Sequence, residues 1–134
     1  MVESAGLLII YDNKMLLAHP TKKSLRIGTF TIPKGKLEKD ETHIEAAIRE
    51  TKEEVGVDID IDLIDKTPHI IDYLDENGTL YKKLTYFLVY LPKKIELNNK
   101  DFSKREIDFA DYLDKNEAEL RIFWRFGEML NYLK

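Results

Sequence analysis

The first clear pattern is an apolar run at residues 6–11, Gly-Leu-Leu-Ile-Ile-Tyr, followed by Asp12-Asn13-Lys14 and a second apolar run at 15–18. The pattern predicts two strands joined by a turn. Residues 21–24 are polar and read as a loop. Phe30-Thr31-Ile32 reads as a short strand stopped by Pro33, and 34–41 as a glycine-containing loop. Residues 42–55 carry the strongest helical signal. Thr42 and Glu45 have the spacing of a capping box, and Gly56 stands where a left-handed helix end is wanted. Ile44, Ile48, Thr51 and Val55 recur at spacings of four, three and four, which makes a stripe for burial. Residues 58–65 alternate Ile59, Ile61 and Leu63 with acidic residues, as a half-buried strand would. Residues 69–74 and 80–91 predict a hairpin around Glu76-Asn77-Gly78. Residues 109–113 read as a last strand and 117–133 as a C-terminal helix. Its buried face would draw on Leu120, Phe123, Trp124, Met129, Leu130 and Leu133, with Gly127 as a weak point. Strands, helix, strands, helix in that order suggest a mixed sheet with helices packed against it.

The chain has 134 residues, 43% of them hydrophobic and 34% charged. That fits one soluble domain spanning residues 1–134, large enough to bury a core without staples. No apolar stretch is long enough for a membrane span, and no basic segment followed by an apolar run marks a secretory signal. Cytoplasm is the default expectation. Cysteine is absent, which excludes disulfides and thiolate metal sites. The net charge of −4 argues against a stable nucleic-acid partner bound along a broad face. It does not argue against a phosphate ligand, because a divalent cation can reverse the local field.

On a helical wheel Glu50, Glu53 and Glu54 fall within roughly 100° of one another, opposite the apolar stripe. Ala46 and Ala47 lie one turn earlier and are expected to leave open space. Like charges three and four residues apart repel, and these sit in the last turn, where the helix dipole favours cations. A solvated acidic face is one reading. The other is a site for Mg²⁺ or Mn²⁺, hard cations that prefer carboxylate oxygens. Such ions can clamp a pyrophosphate and activate water.

The surrounding residues decide between the two readings. Gly35, Glu41, Arg49, Glu50, Glu53, Glu54 and Gly56 are similar, at all seven fixed positions, to the Nudix box, Gly-x5-Glu-x7-Arg-Glu-U-x-Glu-Glu-x-Gly-U, where U is bulky and apolar. Thr51 is the departure, at a U position on the core stripe, so it bears on packing more than on chemistry. The resemblance implies the Nudix fold, a mixed β-sheet sandwiched between helices in an α/β/α arrangement. It implies a metal-dependent hydrolase of a phosphoanhydride bond in a nucleoside diphosphate linked to another moiety. Glu50, Glu53 and Glu54 would bind Mg²⁺ or Mn²⁺, with the Gly35 carbonyl as a further ligand. Glu53 and Glu54 are also candidates for catalysis. Arg49 and Glu41 would pair, and Gly56 would end the helix.

Outside the box the chain resembles the asymmetrical diadenosine tetraphosphate hydrolases. Ile32-Pro33-Lys34-Gly35-Lys36 resembles their Thr-Pro-Pro-Lys-Gly-His. The Arg49-Glu50-Thr51 run is shared, and residues 83–88 resemble a basic-then-aromatic strand in which Tyr86 matches a Tyr. Residues 106–118 resemble a segment running from a Glu to Glu-Ala. Glu106 thereby matches a further metal ligand or catalytic base. Whether it or a box glutamate is the base stays open. Tyr73 and Tyr86 are candidates to stack a base, although aromatic strand residues commonly belong to a core. Lys34, Lys36, Lys82 and Lys83 are candidates to touch phosphates, although such lysines are commonly just solvated. His19, His43 and His69 have no metal-ligand spacing and receive no role. The expected substrate is a dinucleoside polyphosphate such as diadenosine tetraphosphate. Alternatives are pyrophosphohydrolysis of damaged nucleoside triphosphates or of RNA 5′ ends. An inactive ligand-sensing domain is a reading from another class, disfavoured because every box carboxylate is present. The protein is expected to be a monomer or homodimer.

Overall fold

Residues 5–10 are small or apolar at every position, and the strand that contains them is buried on both faces. This strand, β1 (Val2–Tyr11), is the one around which the sheet is assembled. The computed structural model describes residues 1–23 and 28–134. β1 turns through Asp12 and Asn13, both at positive φ, into β2 (Lys14–Pro20). Short polar side chains tolerate that conformation, and its twist suits a two-residue hairpin. The remaining elements are β3 (Lys34–Lys36), α1 (His43–Val55), β4 (His69–Leu74), β5 (Leu80–Tyr90), β6 (Ile107–Leu113) and α2 (Lys115–Arg121). The sheet order is β4-β5-β1-β2-β6, with β3 also on β1. β1 runs parallel to β5 over nine residue pairs, and the other pairings are antiparallel.

The free edge of β1 is divided. Ile10 and Tyr11 pair with β2, whereas Ser4, Ala5 and Gly6 pair with β3. β3 and the loop into α1 are thereby drawn to the centre of the sheet. Strand alternation sorts β1 onto two cores. Ala5, Leu7 and Ile9 pack with Ala46, Ala47 and Val55 of α1. Leu8 and Ile10 pack with Ala118 of α2 and with Ile122, Phe126, Met129 and Leu133 beyond it. The sheet is therefore covered on both faces, as the α/β/α expectation requires.

α1 follows its sequence signals. Glu45 N–H donates to Thr42 Oγ1 at 3.1 Å, and Thr42 N–H donates to Glu45 Oε1 at 2.9 Å. Gly56 ends the helix at φ 74°, and a Cβ there would lie 2.3 Å from Asp101 Cβ. Ala46 and Ala47 do not leave open space. They are fully buried, because their small side chains let α1 sit close on β1. Thr51 is fully buried too, and its hydroxyl donates to the Ala47 carbonyl at 2.8 Å. That bond is how a hydroxyl is accommodated at an apolar position.

Three expectations are corrected. Residues 30–32 form isolated bridges, Thr31 to Ala18 and Phe30 to Ile122, and the strand falls after Pro33, at β3. Pro33 has no N–H to donate to a ladder. Residues 58–65 are not a strand. Ile59 and Ile64 are buried, but Ile61 is 46% exposed and belongs to a 3₁₀ turn at Ile61–Leu63. Asp60 caps that turn by accepting from Asp62 N–H, a local bond that competes with a sheet ladder. Only the end of this segment reaches the sheet, where Ile64 bridges Val89 of β5 and Asp65 N–H donates to the Leu88 carbonyl, beyond the stretch of β5 that pairs with β4.

The C-terminal helix is shorter than expected. Asp114 caps it, and it ends at Arg121. Ile122 and Phe123 are extended because Phe30 pairs with them. Phe30 N–H donates to the Arg121 carbonyl, and Phe123 N–H donates to that of Phe30. A 3₁₀ segment, Trp124–Tyr132, follows. The break changes which side chains are buried, leaving Leu120 52% and Trp124 70% exposed. The expected loop at 21–24 begins as a turn, and Ser24 lies outside the described residues. Among the described residues, no helix is long and apolar enough to cross a membrane.

Replacing Thr42 with Ala removes half of the capping box. The expected cost is about 1 kcal/mol, or a melting temperature lower by roughly 3–6 °C for a domain of this size. Thermal unfolding followed by circular dichroism checks this, and an unshifted midpoint would show that α1 does not depend on its cap.

Candidate active site

The candidate site lies where β3 meets the second half of α1. A Cβ at Gly35 would stand 2.1 Å from Glu50 Cδ and 2.3 Å from each carboxylate oxygen. Only glycine lets the Glu50 carboxylate rest against this backbone. One turn further on, Glu54 accepts a hydrogen bond from Lys34 N–H at 3.3 Å. Glu106 arrives from the loop before β6. That loop is tied to the end of α1 by Ser103 N–H, which donates to the Glu54 carbonyl at 3.0 Å. Glu106 N–H returns to Ser103, and the Glu106 carbonyl accepts from Thr21 N–H. One carboxylate oxygen from each of Glu50, Glu54 and Glu106 lies within 4.8 Å of the others.

The electrostatics follow from burial and from this crowding. Burial pushes the Glu54 carboxyl up to about 8. Lys34 opposes that shift, and the charges of Glu106 and Glu50 add to it. Glu50 is raised as well, first by burial, with Arg49 opposing. The three groups offer hard oxygen donors to a divalent cation, and without one Glu50 and Glu54 resist ionisation.

Arg49 holds the surrounding loop to the helix. Its Nε and Nη2 donate to the two Glu41 oxygens at 2.7 and 2.9 Å, and Nη2 also donates to the Lys36 carbonyl at 2.9 Å. The hydrogen bond from Arg49 holds the Glu41 carboxyl below its ordinary range. Arg49 Nη1 reaches Glu50 at 2.9 Å and Glu53 at 3.1 Å. The side chain of Glu53 is 51% exposed, so Glu53 stands apart from the trio and on the guanidinium instead.

The expected lysines divide between the two faces of the sheet. Lys34, Lys36 and Lys82 stand opposite Gly6, Ser4 and Val2, which are alternate residues of β1 and therefore share one face. Burial, then the charges of Lys34 and Lys36, push Lys82 down to about 8. Its ammonium lies 4.9 Å from the Tyr73 ring centroid. Lys83 points to the other face. There it lines a groove of about 580 Å³ with Ile44, Ile61, Ile70 and Phe87, which none of the three clustered carboxylates lines.

The tyrosine expectation is corrected. Tyr86 is fully buried, stacked on His69 at 5.1 Å, and its hydroxyl donates to Glu128 at 2.7 Å. It has no face open to a base, because the C-terminal segment covers it. Tyr73 is buried as well, with burial pushing its phenol up to about 12 and the Arg125 guanidinium 4.8 Å from its ring. Arg125 and Trp124 were not expected in this neighbourhood. A continuous helix would have carried Trp124 inward, and the one warning of a break was Gly127. His19 is buried and bonded to Asp108 at 2.6 Å.

The NUDIX domain family matches residues 2–132. An 8-oxo-dGTP diphosphatase from Proteus vulgaris is 36% identical over 87 residues, 64% of this chain and 72% of that protein. The mRNA-decapping enzyme subunit 2 of Saccharomyces cerevisiae is 29% identical over 115 residues, 81% of this chain but 10% of that protein. A C. elegans Ap4A hydrolase, solved as a binary complex, superposes with a TM-score of 0.67 at 24% identity, over 98% of this chain and 93% of that one. That likeness is one of fold. Nudix hydrolases generally use divalent metals, and two members of this chain's acidic cluster, Glu50 and Glu54, lie in the family's box. The chain belongs to the Nudix family of hydrolases.

Proposed function

We propose that the protein hydrolyses a phosphoanhydride bond in a nucleoside diphosphate linked to a second moiety, with a dinucleoside polyphosphate as substrate. Diadenosine tetraphosphate, cut to AMP and ATP, is the named case. The observation that carries the reading is the trio of Glu50, Glu54 and Glu106, within 4.8 Å of one another, beside Lys34. Glu50, Glu54 and the Gly35 carbonyl would hold Mg²⁺ or Mn²⁺, and Glu53 would have to leave Arg49 to join them. A cation there supplies charge neutralisation at the anhydride and a more acidic water. Glu106, or a box glutamate not engaged as a ligand, takes the proton from the attacking water. Lys34, Lys36 and Lys82 meet the phosphate chain on one face of the sheet. Three clustered ammonium groups suit a longer polyphosphate, whose charge a metal neutralises only in part. Lys83, on the opposite face, receives no part in this reading.

A second reading is clean-up of damaged nucleoside triphosphates. It is favoured by the name of the Proteus vulgaris relative.

Three experiments test the proposal. Glu54→Gln should lower kcat at least about a hundredfold while the protein stays folded, because a metal contributes several kcal/mol to the transition state. The same variant should change the pH dependence of stability in EDTA. Glu54 has a folded pKa of about 8, above its ordinary value of 4.5, so the folded state holds the proton more tightly. Stability of the metal-free protein should therefore fall as pH rises from about 4.5 to 8. Glu54→Gln should flatten that fall, and Mg²⁺ should restore stability to the wild type. Matching melting profiles for the two proteins in EDTA between pH 5 and 8 would show that the metal-free fold does not raise the Glu54 carboxyl. The substrate is tested with a panel of diadenosine tetraphosphate, 8-oxo-dGTP, CTP and 5′-triphosphorylated RNA, with products separated chromatographically. Turnover of diadenosine tetraphosphate a hundredfold below that of a mononucleoside triphosphate would leave the family standing and overturn this substrate.

A further inference from the structure

Trp124 is the chain's single tryptophan and its ring is 70% exposed. It is nonetheless held in place. The Arg125 guanidinium lies 4.4 Å from the Trp124 ring centroid and 4.8 Å from that of Tyr73, so it is shared between the two rings. Arg125 Nη2 also donates to the Leu74 carbonyl at 3.2 Å, which fixes the orientation of the guanidinium. Phe123 meets the indole edge-on at 5.8 Å. An exposed indole with a guanidinium against it, on a segment anchored by the buried Phe126 and Met129, is preorganised rather than loose.

From this ring the face leads back to the carboxylates. Tyr73 stands opposite Lys82 in the β4-β5 pairing, and Lys82 feels the charges of Lys34 and Lys36. Lys34 N–H in turn donates to Glu54. Tyr73 and Lys34 are three strands apart and offset by four residues. Ordinary strand spacing and rise put them roughly 20 Å from each other. In a mononucleoside triphosphate only a ribose and one phosphate separate the base from the first anhydride. The far base of a dinucleoside polyphosphate stands several phosphates and a second ribose beyond the bond that is cut.

We propose that Trp124 and Arg125 bind the second, non-reacting nucleoside of a dinucleoside polyphosphate. Its base stacks on the open face of Trp124, and Arg125 meets the adjoining phosphate. The assignment rests on the substrate class proposed above and adds the residues that distinguish two bases from one. The ring could instead meet a second copy of the chain. The cations Arg125 and Lys82 beside it favour an anionic aromatic ligand over an apolar surface.

Because no other tryptophan is present, emission reports this site directly. Glu54→Gln protein with Mg²⁺ is titrated with diadenosine tetraphosphate, adenosine 5′-tetraphosphate and inorganic tripolyphosphate. The dinucleotide should quench emission saturably, at a concentration about tenfold lower than adenosine tetraphosphate requires, and tripolyphosphate should leave it unchanged. In the otherwise native enzyme, Trp124→Ala should raise KM for the dinucleotide about tenfold with kcat within about twofold, the effect of losing one base–aromatic stack. Trp124→Phe should recover most of that loss, and neither variant should alter KM for a mononucleoside triphosphate. Unchanged emission at saturating dinucleotide overturns the assignment, as does an equal KM change for one-base and two-base substrates. So does a shift from dimer to monomer in Trp124→Ala by sedimentation with KM unaltered. Saturable quenching without hydrolysis by the wild type would overturn the substrate proposal and leave this site standing. Hydrolysis of the dinucleotide without quenching would do the reverse.

Discussion

The carboxylates of Glu50, Glu54 and Glu106 converge within 4.8 Å at the C-terminal half of α1, where the helix dipole already disfavours negative charge. Burial makes the repulsion stronger than it would be in water. The neighbouring structure is arranged to tolerate that repulsion. Gly35 lacks a side chain, so Glu50 can lie against the backbone. The Lys34 N–H meets Glu54, the Ser103 N–H ties the Glu106 loop to the helix end, and Arg49 takes one oxygen of Glu50. Each partner stabilises the charged form of a carboxylate or shortens its reach. None of them supplies enough positive charge to bring the Glu54 carboxyl back to its ordinary range.

That residual imbalance connects structure with function. Glu54 holds its proton near neutral pH, and a cation would have to displace it, so fold stability and cation binding would draw on the same residue. Arg49 keeps the two from conflicting. By gripping Glu41 with two hydrogen bonds and the Lys36 carbonyl with a third, it fixes the loop from β3 into α1 independently of any cation. Its remaining nitrogen reaches Glu50 and Glu53. The loop is therefore held by a charge pair on its outer side, and the inner carboxylates remain available.

What could be read in the sequence divides along the same line. α1, its cap, its Gly56 terminus and the Glu41–Arg49 pair depend on local spacing, and the sequence displays local spacing directly. The hairpin of β4 and β5 is local in the same sense. The misreadings have one local cause and one distant one. Residues 58–65 alternate like a strand, but Asp60 caps a 3₁₀ turn there and only Ile64 reaches β5, bridging Val89. The C-terminal helix stops because Phe30, ninety residues earlier, pairs with the chain at Ile122 and Phe123. That one long-range pairing buries Phe126 and Met129, exposes Trp124 and covers Tyr86. A continuous helix would bury Trp124, and the family resemblance offers Tyr86 to a base; the break at Ile122 reverses both.

The two faces of the sheet also separate two tasks that the box alone does not distinguish. α1 and its carboxylates come in at the edge of β3, while Lys34, Lys36 and Lys82 stand on the face that α2 and the C-terminal segment share. In the reading proposed above, chemistry and recognition are carried by different segments with different constraints. Box positions are tied to one another by short, mutually dependent contacts, so a change at one displaces its neighbours, as the closeness of Gly35 to Glu50 shows. Trp124 and Arg125 sit on a 3₁₀ segment whose anchors, Phe126 and Met129, are elsewhere on the same turn of chain. A segment held by its own buried residues can vary its exposed ones without disturbing the carboxylates. The substrate contacts proposed for this chain therefore lie on this second face, and the spacing of the box carries little information about them.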